Sequence, residues 1–192
     1  MATHNHEVLK VKALEWLYLN ARCQYVATEL KIGRYIFDVV GCDGSRVFII
    51  EAKQDKKDYT RELNCPDVIK EKLNELKDEF KKTGEREKYL KSIKKERNKS
   101  IKFFDDTLYR FTSHRYIIAP DNVLTEDIIP QHWGLLNEEP RLIKECLGNR
   151  IDQKFADKII RDICNKNTRI YLEMKEGVKF DKVIEFPDLN LI

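Results

Sequence analysis

The sequence predicts an α/β domain with one central mixed β-sheet flanked by helices. Three observations predict it. Short β-branched and aromatic runs crowd into residues 25–53, helical periods precede and follow them, and strand-like runs return between 115 and 136. A chain of 192 residues is long enough for one domain with a substantial apolar core.

The elements follow in order. Val8, Val11, Leu14, Leu17 and Tyr18 recur at helical spacing, which predicts an amphipathic helix over 6–20. Strands are predicted at 25–31, 35–41 and 46–53, the last carrying the run Val47-Phe-Ile-Ile. Asp43-Gly44 between the second and third is a strong hairpin signal, and hairpins make the sheet mixed. A helix is expected just after Lys53. Residues 66–108 read as an inserted charged arm of two helices, broken near Thr83-Gly84. A strand at 115–119 ends at Pro120, and a helical turn is expected at 124–129. A short strand follows at 134–136, with 141–145 as its candidate partner. The spacing of Ile151, Phe155, Ile159, Ile160 and Ile163 predicts a helix over 151–164, and late strands are expected at 169–173 and 183–186. The whole, 1–192, reads as one domain with 66–108 inserted in it.

Composition limits the function classes. Apolar residues make up 42% and charged residues 36% of the chain, and its aromatic content argues against wholesale disorder. No apolar run reaches spanning length and MATHNHEVLK carries no signal-peptide apolar region, so a cytoplasmic location and no membrane are expected. Cysteines 23, 42, 65, 146 and 164 form no CxxC pair, which fits reduced thiols. His4, His6, His114 and His132 have no ligand spacing, and a mobile terminus accounts for the first two without function. No Gly-rich phosphate loop, HExxH or GxSxG motif is present.

The net charge of +3 conceals an asymmetry. Residues 81–102 hold ten Lys or Arg against Glu85, Glu87 and Glu96, a local +7 that leaves −4 for the remainder. Lys81, Lys82, Lys91, Lys94, Lys95, Arg97 and Lys99 are therefore candidate contacts to a phosphate backbone. The competing reading is a solvated helix face laced with i,i+4 pairs.

The stretch that carries chemistry is Tyr35-Ile-Phe-Asp38-Val-Val-Gly and Val47-Phe-Ile-Ile-Glu51-Ala-Lys53. A period of two puts Glu51 and Lys53 on one face of their strand, with Ala52 pointing away. Pairing across the Asp43-Gly44 turn brings Asp38 near Glu51. Two such carboxylates repel unless neutralised, and Mg²⁺ or Mn²⁺ would resolve the repulsion, since a hard cation needs only one or two carboxylates plus a substrate phosphate. Lys53 could then contact a metal-bound water or the phosphate, which is apparatus for phosphodiester hydrolysis. Against this stands the ordinary reading, surface acids and ion pairs at strand ends.

The order helix, Asp38, hairpin, Glu51-Ala52-Lys53 resembles the PD-(D/E)XK nuclease superfamily. Thr28-Glu29-Leu, Lys57-Asp58-Tyr59, His114-Arg-Tyr-Ile-Ile-Ala-Pro120 and Trp133-Gly-Leu-Leu136 are similar to its MmcB-like DNA-repair branch. The resemblance covers about 6–64 and 113–137. It implies a restriction-endonuclease-like sheet and a metal-dependent DNA nuclease, more an endonuclease than an exonuclease, serving repair, recombination or genome defence. It implies that Asp38, Glu51 and the Ala52 carbonyl hold Mg²⁺ or Mn²⁺ and that Lys53 orients water or stabilises charge. Glu29 matches a first-strand glutamate, as a further ligand or a supporting acid, or else is an exposed strand acid. Glu7 matches an acid of some relatives, although a helix start favours an acid anyway. Gln54 contacts substrate or caps the next helix, and Asp58 and Tyr59 orient the site or finish that helix. Residues 66–108 and those after 140 depart from the pattern, which leaves substrate choice open. DNA is the expected partner, with RNA open, and assembly as a homodimer or with a protein through 66–108 is a further expectation. The alternative is a non-catalytic nucleic-acid-binding or scaffold protein on the same fold.

Overall fold

The Asp43-Gly44 turn organises the centre of the molecule. In the computed structural model, which describes residues 4–63, 66–99 and 102–176, Asp43 Oδ1 accepts from the backbone N–H groups of Ser45 and Arg46 at 3.0 and 2.7 Å. Gly44 takes φ +107°, a conformation cheap only for glycine. This turn joins β2 (Tyr35–Cys42) to β3 (Val47–Ala52), and β1 (Tyr25–Ile32) pairs antiparallel on the other side of β2.

Beyond β3 the sheet becomes parallel. β4 (His114–Ile118) pairs parallel with β3, and β5 (Gly134–Leu136) parallel with β4. β6 (Leu142–Lys144) closes the edge antiparallel to β5, with a bulge at Leu135/Leu136. The six strands stand in chain order from β1 to β6. A mixed six-stranded sheet flanked by helices is thus the fold class.

Helices cover both faces, which is why every residue of β3 is buried. On one face α1 (His4–Leu19) sets Leu9, Ala13 and Leu17 against Val39, Phe48, Ile50, Ala52 and Ile118. Gly41 permits this approach, since a Cβ there would lie 2.9 Å from Cys23 Sγ and 3.1 Å from Leu17 Cδ1. On the other face α5 (Gln153–Glu176) supplies Ala156, Ile159 and Ile163, joined by Tyr59 of α2 (Lys56–Leu63), Phe103 and Trp133, over Phe37, Val40, Ile49 and Ile117. Asp55 caps α2 by accepting from Asp58 N at 2.7 Å.

The inserted arm is α3 (Pro66–Thr83) and α4 (Arg86–Lys99), which pack on each other, with Phe80 and Tyr89 stacked at 4.7 Å. Gly84 at φ +68° makes the break between them. After α4 the chain returns through short 3-10 turns at Lys102–Phe104 and Asp106–Arg110.

One expectation is corrected. Residues 169–173 are not a strand; they continue α5 to Glu176. Ile170, Tyr171 and Met174 keep helical spacing and are exposed, and Arg169 pairs with Glu173 at 3.3 Å. The run Arg-Ile-Tyr-Leu-Glu has β-propensity, but propensity yields to a helix already propagating from packed turns. The strand expected at 183–186 lies outside the described residues, as does Cys65. Among the described residues no helix is long and apolar enough to cross a membrane.

Candidate active site

The pleat of β1 and β2 changes phase at one level of the sheet. Ala27 and Leu30 of β1 reach the same core although their positions have opposite parity, and so do Phe37 and Val40 of β2. Thr28 pairs with Val39 and Leu30 with Phe37, so Glu29 and Asp38 face each other at the shift. Glu29 adopts φ +48° there, in the left-handed region that non-glycine residues enter at a cost of about 1 kcal/mol or more.

The same level is where β2 stops pairing with β3. Their last pair is Val39 with Ile50. Asp38 then turns its carboxylate to β3, where Oδ2 accepts from Ala52 N at 2.9 Å. In return Glu51 Oε1 lies 3.4 Å from Asp38 N. The two acids are therefore adjacent, held by each other's strand. Glu51 is only 2% exposed and Lys53 3%, and Lys53 Nζ stands 3.7 Å from Glu51 Oε2. Ala52 packs in the opposite core with Ile50, as period two requires.

The predicted donor set fits a hard cation. Mg²⁺ takes one or two carboxylates and completes its shell with water and phosphate oxygens. Asp38 and Glu51 are two neighbouring carboxylates. A residue's N–H and C=O point to the same side of a strand, so the Ala52 carbonyl lies along the edge of β3 that its N–H presents to Asp38. Among the described residues no group of three or more His, Cys, Asp or Glu side chains is placed to hold a metal ion.

Glu29 turns its carboxylate to Lys10. Its Oε1 receives Lys10 Nζ at 2.8 Å, and Glu7 receives the same ammonium at 3.0 Å. Burial opposes the charge of Lys10, but hydrogen bonds to Glu29 and Glu7 and the field of Asp38 outweigh it and hold its pKa above the ordinary lysine value. Lys10 in turn holds the Glu29 carboxyl below the usual carboxylate range. Glu7 and Glu29 are thus partners of a buried lysine behind the site. Asp55 rather than Gln54 caps α2. Tyr59 is buried, donates to Ile128 O at 2.6 Å and packs edge-on against Phe103, so its place is in the core beside the site.

Three residues to which the sequence assigns no role belong to the site. His6 Nε2 lies 3.6 Å from Asp38 Oδ2, and Lys10 lies behind it. A signal for both exists in the sequence: 6, 10, 13 and 17 form one helical stripe, the one that faces the sheet. Lys102 is the third. Its Nζ is 2.5 Å from Glu51 Oε1 and 2.7 Å from Ile36 O, and 4.7 Å above the Phe37 ring. Nothing local in the sequence pairs residue 102 with residue 51.

Two of the candidate lysines of the arm have partners within it. Lys81 pairs with Asp78 at 3.0 Å and Lys91 with Glu87 at 2.8 Å, both within one helix, while Lys82 is exposed. Lys94, Lys95, Arg97 and Lys99 belong to α4, but their side chains lie outside the described residues.

No family model and no curated protein matches the sequence. Among solved structures the chain is similar to a protein of unknown function from Silicibacter pomeroyi. The TM-score is 0.59 at 12% identity, with 95% of this chain and 100% of that one covered. At that identity the likeness establishes a shared fold.

Proposed function

We propose that the protein is a divalent-metal-dependent nuclease of the PD-(D/E)XK type that hydrolyses phosphodiester bonds in DNA. The observation that carries this reading is the meeting of Asp38 and Glu51 across the β2–β3 boundary, with Lys53 on the face of Glu51. Asp38, Glu51 and the Ala52 carbonyl would hold Mg²⁺ or Mn²⁺. The bound ion would supply an acidified water and a counter-charge for the phosphorus centre. Lys53, buried beside Glu51, would orient a water or stabilise the charge on the phosphate. The lysines of α3 and α4 would grip the backbone.

The test is incubation with plasmid and with single-stranded DNA, each with Mg²⁺, with Mn²⁺ and with EDTA, beside Asp38→Asn and Glu51→Gln. Metal-dependent cleavage lost in both variants is the expected result. Equal cleavage by wild type and Asp38→Asn would refute the site.

A second reading is favoured by a specific observation. Lys102 already stands against Glu51 as a counter-ion. This suits a non-catalytic nucleic-acid-binding module on the same fold. Salt-sensitive DNA binding without cleavage in any metal would select it.

A further inference from the structure

Glu51 is the most enclosed acid of the site, and two ammonium groups bracket it. Lys53 stands by Oε2 and Lys102 by Oε1. The two differ in origin. Lys53 follows two residues on, just past the end of β3, where its backbone N–H donates to Ile118 O at 2.9 Å. Lys102 arrives from beyond the arm, and separate contacts fix its backbone. Asp105, three residues on, accepts from Arg34 Nη2 at 2.7 Å, Tyr35 O–H at 2.9 Å and Thr107 N at 2.9 Å. Phe103 O accepts from Trp133 Nε1 at 3.0 Å, and the Phe103 ring packs between Tyr59 and Trp133. The Lys102 ammonium lies 4.7 Å from the centre of the Phe37 ring and is held by Glu51 and the Ile36 carbonyl. The cation is built into the acid site by residues of four separate segments.

We infer that Lys102 is a tethered counter-ion that competes with the divalent metal for Glu51, so that metal binding requires the ammonium to leave Oε1. This inference rests on the metal-dependent reading above. Mg²⁺ binds carboxylate oxygens at about 2.1 Å, so an ion on Glu51 Oε1 would lie within about 5 Å of an undisplaced Nζ, a cation against a dication in a water-poor site. The side chain can yield where the backbone does not. Lysine is a flexible four-carbon stem with a rotatable head, and Lys102 keeps 14% exposure, against 3% for Lys53, which gives it a path outward. Released, its ammonium is at the rim of the site, where a substrate phosphate would stand. Lys102 is thus a positioning residue for Glu51 in the free protein and sets the threshold for metal loading.

The experiment measures Mn²⁺ affinity directly, by calorimetry or by the paramagnetic signal of free ion, in the full chain. Wild type is compared with Lys102→Met, which keeps an unbranched apolar stem and removes the charge, Lys102→Arg, which keeps the charge, and Asp38→Asn. Lys102→Met is expected to bind Mn²⁺ roughly tenfold or more tightly than wild type, because a charge-assisted hydrogen bond no longer opposes the ion. Lys102→Arg should stay near wild type, and Asp38→Asn should bind more weakly. A gain in affinity is a result that damage to the fold does not produce. Equal affinity in wild type and Lys102→Met, with binding still weakened by Asp38→Asn, would overturn the competition and leave the metal site standing. No binding to wild type, Lys102→Met or Lys102→Arg would overturn the metal reading, and this inference with it.

Discussion

Asp38 accepts a hydrogen bond from the backbone N–H of Ala52 at 2.9 Å, so a side chain extends the β2–β3 ladder one step past the last backbone pair, Val39 with Ile50. This gives Asp38 two roles that substitution can separate. Asp38→Ala leaves a buried N–H without its partner and is expected to cost about 1–3 kcal/mol in urea unfolding. Asp38→Asn keeps an oxygen for Ala52 and should unfold within about 1 kcal/mol of wild type, while losing the proposed metal-dependent cleavage. Equal destabilisation by both would show that the charge of Asp38, rather than its hydrogen bond, holds the strands.

The Lys10–Glu29 pair predicts a pH dependence of stability. The folded pKa of Glu29 lies below its ordinary value of 4.5. A depressed carboxyl contributes stability that is present above the unfolded pKa and is lost as pH falls through the folded one. Glu29→Gln should therefore be less stable than wild type at neutral pH, and the difference should shrink away as acid protonates Glu29 below the ordinary carboxylate range. Glu29 is 58% exposed, so solvent screening limits the neutral-pH difference to about 1 kcal/mol or less. Chemical denaturation of both proteins across that range checks it; a difference that persists in acid would assign the effect to the left-handed backbone at residue 29 instead.

The arm makes a prediction about salt. If Lys81, Lys82 and Lys91 bind phosphates, replacing all three with Gln should flatten the plot of log affinity against log salt. On duplex DNA the slope should fall by about 0.9 for every phosphate that the variant no longer neutralises. An unchanged slope would return those lysines to their partners, Asp78 and Glu87 among them, and to a merely solvated helix face. Filter binding or fluorescence anisotropy across a salt series measures it.

The sequence by itself determined whatever depends on local periodicity. Alternation along β3 and one residue past it put Glu51 and Lys53 on one face and Ala52 on the other. Asp43-Gly44 specified the hairpin that brings Asp38 beside Glu51, and the gap in apolar spacing at Thr83-Gly84 divided the arm. Each of these follows from a repeat of two or 3.6 residues, or from a turn only a few residues will adopt. Tertiary structure decided the rest. It sent Glu29 to Lys10, through a left-handed residue at a phase shift of the pleat. It ran α5 through 169–173, where local β-propensity pointed elsewhere. It carried Lys102 back across the length of the arm to Glu51. The physical reason is that an acid buried in a sheet draws its partner from whatever segment packing returns to it, and closing a long loop costs little more than closing a short one. No spacing in the sequence encodes that choice.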